Sequence, residues 1–432
     1  MIKGSLFSNP LFIGFTALVV KLSIPKLLPY GSGHVRFDRP PLAHIDPDLR
    51  TLGRGNVIKI FERLNKDKKG NQEPLLLGPE TVIIDHESNI YALARDNIIQ
   101  LKNLGKEETK DDPSYPDGYP DTNSKPFEMG TDIFADVMIV AKTSGFVLGG
   151  KFVPGTKVLY FADAVNGLCR IDVSKPNPKV ELIASSFQLD DGTWSKIAYA
   201  DDVDIGPKSG IVYFSDASDI SPERNSKDRK LFDTMYGFKM DYMRAKKSGR
   251  LLQYDPSTDQ VTVLASDIWF ANGVAVDEKE EFVMITETSM LRILKYHLKG
   301  PKKGQLEVMV DNLPGLPDGA DCTSAQLCYS PLPSSIPPIV NILHKFPPSI
   351  EARLRTLIMM LPSSLTPKPI SYGGIVEITQ GDDTTPSEIN FLFQDPNGDH
   401  ISMLTGVTEH GGKLYLGSLH NNFIGVLDLR RV

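Results

Sequence analysis

The composition lacks the features of a nucleic-acid-binding protein, a disulfide scaffold or a serine esterase. With 47 Lys and Arg against 54 Asp and Glu, the 432-residue chain has a net charge of −7, whereas binding to a phosphate backbone needs a basic face. The chain has only three cysteines, too few for a disulfide framework. No Gly-x-Ser-x-Gly elbow is present. Asn-x-Ser/Thr sequons are also absent, which removes one support for an extracytoplasmic location.

The three cysteines leave one structural question open. Cys322 and Cys328 lie close enough in sequence to pair if the domain faces an oxidising compartment. Three unpaired thiols, with Cys169 as the third, are an equally good reading of the sequence.

The N-terminus contains the longest apolar stretch near a chain end. Lys3 precedes an apolar run at residues 11–20, which is shorter than the roughly twenty residues of a spanning helix. We interpret residues 1–38 as an uncleaved signal anchor, or a signal segment, followed by a linker. This predicts a single-pass membrane protein whose remaining domain is lumenal or extracellular. A cleaved signal with secretion, and a buried N-terminal helix, are the alternatives.

Short apolar strands separated by polar turns recur along the rest of the chain. Such units begin near residues 88, 158, 210, 282 and 413, and β-branched and aromatic residues are frequent in them. One hairpin cannot bury both faces, and a spacing of about 50 to 70 residues is typical of propeller blades. We therefore predict an all-β fold for residues 39–432, a six-bladed β-propeller.

Two segments depart from the repeat. Residues 102–130 are rich in Asp, Pro, Gly and Lys and predict a long surface loop. Residues 331–369 form an insertion, with a helical part near residues 338–362 that has an apolar face. This helix could pack on the propeller rim, cover the channel as a lid, or lie on a membrane surface and admit lipophilic substrates.

A nearly continuous series of motifs resembles the signature region of strictosidine synthase-like proteins. Residues 270–276 read Phe-Ala-Asn-Gly-Val-Ala-Val, residues 292–296 read Arg-Ile-Leu-Lys-Tyr, and residues 311–318 read Asp-Asn-Leu-Pro-Gly-Leu-Pro-Asp. The resemblance covers residues 75–320 and 372–432. It implies a six-bladed propeller related to paraoxonases, gluconolactonase/regucalcin and diisopropyl fluorophosphatase. These relatives share one calcium ion, held by a Glu, two Asn and an Asp in the central channel.

The resemblance assigns four calcium ligands to this chain. Glu80 lies in the Gly-Pro-Glu motif, Asn272 in Asn-Gly-Val, and Asp318 in Pro-Asp. Where the family has its second Asn, this chain has Asp201, which raises the negative charge of the set from two to three. The extra carboxylate should hold Ca²⁺ more tightly and make the ion a weaker Lewis acid.

The implied activity is a calcium-dependent hydrolysis of esters or lactones, similar to an arylesterase, on a small lipophilic substrate. Asp318 or a calcium-bound water would attack, and His410, His420 or His86 could relay protons. Thr405 stands where strictosidine synthase has its catalytic Glu, which argues against amine–aldehyde condensation. The alternative is a non-catalytic, membrane-tethered binding propeller with a structural calcium.

Overall fold

The structure is a computed structural model. It describes residues 57–63, 74–105, 132–189, 191–225, 228–323, 327–343, 345–361, 366, 368–381 and 385–431. The predicted anchor at residues 1–38, the boundary at residue 39 and most of the predicted loop at residues 102–130 lie outside these ranges. Within them, no helix is both long and apolar enough to cross a membrane.

The first half of the chain forms three four-stranded antiparallel blades. The opening strand is β1 (Val57–Glu62). Blade 1 consists of β2 (Pro79–Ile84), β3 (Ile90–Ala94), β4 (Asn97–Gly105) and β5 (Ile133–Lys142). Blade 2 consists of β6 (Val147–Phe152), β7 (Val158–Asp163), β8 (Gly167–Asp172) and β9 (Glu181–Ala184), followed by the hairpin β10 (Ser186–Gln188) and β11 (Trp194–Lys196). Blade 3 has β12 (Ala200–Ile205) and β13 (Val212–Asp216), then an insertion with β14 (Glu223–Arg224), β15 (Phe232–Asp233) and helix α1 (Thr234–Arg244), then β16 (Gly249–Asp255) and β17 (Gln260–Ile268).

The second half supplies the other three blades. Blade 4 consists of β18 (Ala271–Val276), β19 (Phe282–Glu287), β20 (Arg292–His297) and β21 (Leu306–Val310). Blade 5 has β22 (Asp321–Cys322) and β23 (Leu327–Leu332), an insertion with α2 (Pro338–Leu343) and α3 (Pro348–Met359), then β24 (Gly373–Thr379) and β25 (Glu388–Asp395). Blade 6 consists of β26 (Leu404–Glu409), β27 (Lys413–Ser418), β28 (Phe423–Asp428) and the opening strand β1.

The first strands of the blades, β2, β6, β12, β18, β22 and β26, form the inner ring. Each contacts the next in chain order, and β26 contacts β2, so the ring closes. The predicted six-bladed propeller and its helical insertion are therefore confirmed. Apolar clusters lie between neighbouring blades, where each sheet face covers the next; between blades 6 and 1 the cluster includes Ile60, Val82, Ile99 and Ile424.

The strand directions define the two ends of the channel. The inner strands all start at one end, here called the entry end. The second strand of each blade runs back toward it, so the connection from second to third strand also lies there. The insertion with α1 and the insertion with α2 and α3 are both connections of this kind, and both therefore emerge at the entry end.

One cysteine pair is formed. Cys322 and Cys328 are register partners on β22 and β23 and are joined by a disulfide, which decides between the two readings of the sequence. Cys169 is a buried free thiol.

Closure of the ring depends on β1, which pairs antiparallel with β28 and parallel with β5. Ile60, 2% exposed, stands opposite Ile424 and Ile133. The change Ile60→Ala should lower the free energy of unfolding by about 2–5 kcal/mol, because it opens a cavity in the seam between blades 6 and 1. Urea denaturation measures this. The control Met138→Ala removes an exposed side chain from β5 and should cost under about 0.5 kcal/mol. Equal costs for the two variants would show that β1 does not close the ring.

Candidate functional site

The four residues assigned to calcium all lie at the entry end. Glu80, Asp201 and Asn272 are each the second residue of an inner strand, in β2, β12 and β18. Asp318 lies three residues before β22. Because the inner strands start at the same end, these positions converge on the channel. The side chains of Glu80, Asp201 and Asn272 are buried, while Asp318 keeps partial solvent contact.

Main-chain hydrogen bonds hold these positions in place across the blades. The Gly273 N–H donates to the Asp318 carbonyl at 3.0 Å, and the Gly319 N–H donates to the Thr405 carbonyl at 2.9 Å. The Thr405 hydroxyl donates to the Glu80 carbonyl at 3.0 Å. Blades 4, 5, 6 and 1 are thereby linked next to the site.

Two glycines allow the strands to approach this closely. A Cβ atom at Gly273 would lie 2.4 Å from the Asp318 carbonyl oxygen, and one at Gly406 would lie 2.5 Å from the Glu80 carbonyl oxygen. Both distances are shorter than any ordinary van der Waals contact, so a side chain at either position would force the inner strands apart.

The three carboxyl groups all have raised pKa values, and burial is the largest cause for each. Burial, and then the charge of Asp318, raise the pKa of Glu80 well above its usual value. Burial, followed by Asp318 and Glu80, does the same for the pKa of Asp201. Burial raises the pKa of Asp318 to about 8; a hydrogen bond from Asn272 opposes the rise, and the charge of Asp202 adds to it. Asp318 is thus linked to each of the other three residues, by its charge to Glu80 and Asp201 and by a hydrogen bond to Asn272.

The chemistry of this set fits a hard divalent cation. Ca²⁺ prefers oxygen ligands and tolerates loose geometry. Its positive charge would also offset the free-energy cost of burying negatively charged carboxylates. The atoms do not form a coordination shell, however. In the described part of the chain, no three His, Cys, Asp or Glu side chains are arranged as a metal-binding group. Glu80 instead accepts a hydrogen bond from the Thr81 hydroxyl at 2.8 Å, and Asp318 accepts one from Asn272.

An apolar lining accompanies the acids at the entry end. Phe146, Tyr199 and Phe270 belong to one buried cluster, against which Phe238 of α1 packs. Phe270 meets Tyr199 at a ring-centroid distance of 5.4 Å and Phe238 at 5.0 Å, both edge to face. The Tyr199 hydroxyl donates to the Thr234 carbonyl at 3.1 Å. Burial, together with the charges of Asp201 and Asp318, raises the pKa of that hydroxyl.

Sequence reasoning missed this lining, although a signal was available. Tyr199 stands two residues before Asp201, and Phe270 stands two residues before Asn272. The same offset from a predicted ligand recurs in blades 3 and 4. Residues at this offset lie at the same end of neighbouring inner strands, and residues two apart on a strand share one face.

The candidate proton-relay histidines are divided between the two ends of the channel. His410 lies in the turn after β26, at the end opposite the acids, where its Nε2 is 3.1 Å from the Ser88 hydroxyl. His86 is in the turn after β2, also at that end, with Nδ1 3.1 Å from the Thr156 carbonyl. The structure therefore does not bring His410 or His86 to Asp318. His420 follows β27 at the entry end and is exposed.

A second charged group fills the channel below the acids. Lys151 Nζ lies 2.9 Å from Asp321 Oδ1 and 3.5 Å from Asp204 Oδ1. Burial lowers the pKa of Lys151, but the negative charges of Asp204 and Asp321 outweigh this effect, so the pKa is raised overall. The cavity here measures only about 20 Å³, room for roughly one water molecule. On this side of the four residues, the described part of the channel therefore has no room for a molecule much larger than water.

The fold and this site define a propeller with an acidic channel entrance, and the comparisons with known proteins agree. Residues 201–301 match the family model described as Strictosidine synthase. The predicted resemblance to strictosidine synthase-like proteins is thus confirmed.

Particular relatives cover more of the chain. Adipocyte plasma membrane-associated protein of Gallus gallus is 26% identical over 437 residues, spanning 100% of this chain and 93% of that protein. Protein strictosidine synthase-like 10 of Arabidopsis thaliana is 28% identical over 288 residues, spanning 66% of this chain and 70% of that protein. A gluconolactonase structure from Xanthomonas campestris superposes with a TM-score of 0.50 at 11% identity, covering 93% of this chain and 99% of that one. At this identity the structural match supports the fold alone.

The raised pKa values generate a pH prediction. Without divalent cations, between about pH 5 and about pH 8, the folded chain binds more protons than the unfolded chain, so stability should fall as pH rises. Asp318→Asn removes one of these carboxylates. Relative to wild type, the variant should gain more stability at about pH 8 than at about pH 5. Folding increases the proton affinity of the Asp318 carboxylate, and the substitution removes this effect. Each tenfold of that increase corresponds to about 1.4 kcal/mol of the gain.

Urea denaturation in chelator at the two pH values measures the difference. Asp311→Asn, an exposed position outside the site, serves as the control. A gain for Asp318→Asn that is the same at both pH values would contradict the crowding of carboxyl groups at the entry end.

Proposed function

We propose that this chain is a calcium-dependent hydrolase of esters or lactones, with arylesterase-like preference for lipophilic substrates. The observation that supports it is the convergence of three carboxyl groups and one carboxamide at the starts of the inner strands, beside an aromatic lining. Glu80, Asp201, Asn272 and Asp318 would hold the ion. When bound, Ca²⁺ supplies a positive charge that polarises an ester carbonyl and stabilises a developing oxyanion.

Asp318 is the residue best placed to act on the substrate. It is the member of the set that keeps partial solvent contact, and in the cation-free chain burial raises its pKa to about 8. Its carboxylate would attack the carbonyl or take a proton from the attacking water. His420, exposed at the same end, would exchange that proton with solvent. His410 has no part in this mechanism, because it lies at the opposite end.

The aromatic lining sets the substrate class. Phe238, which is partly buried, would contact the apolar part of an ester, and the buried Phe146, Tyr199 and Phe270 around it would keep water from the carbonyl. Thr405 stands where strictosidine synthase has its catalytic Glu, but it is 1% exposed and its hydroxyl donates a hydrogen bond to the Glu80 carbonyl. Because it cannot take the role of that Glu, it supports hydrolysis over condensation.

We also propose that the propeller is held at a membrane by residues 1–38, on the lumenal or extracellular side, with secretion as the alternative. Two observations support this location. The Gallus gallus relative is named as plasma membrane-associated. The Cys322–Cys328 disulfide is a bond that persists in oxidising compartments.

Two variants test the activity. Glu80→Gln should lower kcat/KM for phenyl acetate at least about 100-fold, because a ligand is lost and its charge with it. Asp201→Asn should raise kcat at saturating calcium, since one carboxylate fewer leaves the ion a stronger Lewis acid. Initial rates with added calcium and with excess chelator measure both effects.

Glu87→Gln, an exposed acid in the turn after β2, is the matched control and should behave like wild type. Hydrolysis that persists in excess chelator would contradict the proposal. If calcium binds but neither phenyl acetate nor a lactone is turned over, the chain is instead a binding propeller, a reading favoured by the third carboxylate.

A further inference from the structure

The insertion of blade 5 exposes an unusual number of apolar side chains. Six of them lie within twenty residues and are between 37% and 49% exposed: Ile342, Phe346, Ile350, Leu357, Met360 and Leu361. Single exposed apolar residues are normal on a soluble surface, whereas a contiguous group marks an interaction site.

Helix α3 is turned with its apolar stripe outward. Ile350 and Leu357 are seven residues apart and share one face, and both are exposed. The opposite face is buried and largely polar: Glu351, Arg355 and Thr356 are 1%, 2% and 4% exposed, and Ala352 lies among them. A surface helix that only packs on a core shows the reverse arrangement.

The contacts of the buried face explain this orientation. Arg355 Nη1 donates to the Met243 carbonyl near the end of α1 at 3.3 Å, and Arg355 Nε lies 3.8 Å from Glu351 Oε1. Arg355 thus donates a hydrogen bond to a carbonyl near the C-terminal end of α1, and the carboxylate of Glu351, one helical turn away, balances its charge. The polar face is fixed inward, so the apolar stripe must face outward.

The charges exposed on the insertion are basic. Lys345 and Arg353 are exposed, whereas Glu351, the carboxylate between residues 338 and 361, is buried beside Arg355. The exposed surface of the described insertion is therefore apolar and positively charged.

A basic cleft lies next to the insertion. It has a volume of about 390 Å³ and is lined by Lys196, Lys246, Lys247 and Arg250, with Asp219 as its acidic residue. Lys246 pairs with Asp219 at 2.7 Å. Lys196 contacts the Ser221 hydroxyl, and Lys247 contacts the Trp269 ring. Among the described residues that line the cleft, these two lysines make contacts that are not with carboxylates, so the cleft carries a net positive charge.

The cleft and the insertion belong to one surface. Lys246 is three residues from Met243, to which Arg355 is bonded, and three residues span at most about 11 Å. Both features emerge at the entry end, which also carries the aromatic lining. We call the six apolar residues together with Lys196 and Lys247 the docking face.

We propose that the docking face binds the surface of a bilayer containing anionic phospholipids. The apolar stripe of α3 enters the boundary between headgroups and acyl chains, and the lysines of the cleft contact lipid phosphates. A second copy of the chain is a poorer partner, because two identical docking faces would oppose like charges. The bilayer would then face the channel entrance, so that lipophilic molecules reach the aromatic lining from the membrane.

The test uses the full chain in vesicles, with an environment-sensitive fluorophore on a single introduced cysteine. Native thiols do not compete, because Cys169 is buried and Cys322 is bonded to Cys328. The probe position is Leu357→Cys. The matched control is Asn177→Cys, an exposed site in the turn after β8 at the opposite end. Vesicles contain phosphatidylcholine alone or with phosphatidylserine, and lipids with brominated acyl chains quench a fluorophore that reaches the bilayer.

The fluorophore at residue 357 should be blue-shifted and quenched in vesicles with phosphatidylserine, and that at residue 177 should stay water-like. Adding Lys196→Glu and Lys247→Glu should lower the ratio of docked to undocked chains about tenfold or more, since each basic residue near an anionic surface contributes about 1 kcal/mol. A water-like signal at residue 357 in both lipid mixtures would overturn the proposal.

Three further outcomes would also overturn it. Equal quenching at residues 177 and 357 would indicate general insertion of the propeller. Quenching that is the same in phosphatidylcholine alone and unchanged by the two lysine substitutions would exclude recognition of anionic lipid. A blue shift that grows with the protein-to-lipid ratio would assign the face to a second copy of the chain. The fluorophore reports position alone, so these results are independent of whether the chain hydrolyses esters.

Discussion

The repulsion among three carboxyl groups at the start of the inner strands is the constraint on which the rest of the site depends. Glu80 and Asp201 come from blades 1 and 3, and Asp318 lies just before the first strand of blade 5. Burial raises the pKa of all three, the charge of Asp318 adds to the rise at Glu80 and Asp201, and the charge of Glu80 adds to it at Asp201. Glycines and main-chain hydrogen bonds hold the strands close enough for this to occur. The fold thus stores an unfavourable charge distribution that a bound cation would relieve.

The propeller could be predicted from sequence because its signals are local and repeated. Each hairpin shows short apolar strands and turn residues, and the six blades follow from their spacing. The blade-closing role of β1 could not be predicted, since residues 57–62 pair with a strand more than 360 positions away. The Cys322–Cys328 bond also remained open, because it depends on the register of β22 against β23.

The positions of the four calcium candidates could be predicted because their sequence motifs lie where inner strands begin. The four calcium candidates all precede or begin inner strands, and the structure places them at one end. His410 follows a strand, which puts it at the other end, and the direction of β26 decides this. The orientation of α3 was harder to predict. Its apolar residues are evident in the sequence, but their outward orientation depends on a tertiary contact, the hydrogen bond from Arg355 to the Met243 carbonyl, which the sequence does not show.

The account is tested most directly by measuring how much calcium the chain binds, by isothermal titration of the metal-free protein beside the Glu80→Gln variant. It predicts one calcium ion per wild-type chain, and affinity at least about tenfold weaker in the variant, because even the loss of a residue that only supports a metal ligand typically costs about 10–100-fold in affinity. Absence of calcium binding to the folded wild-type chain, or equal binding by both proteins, would contradict it.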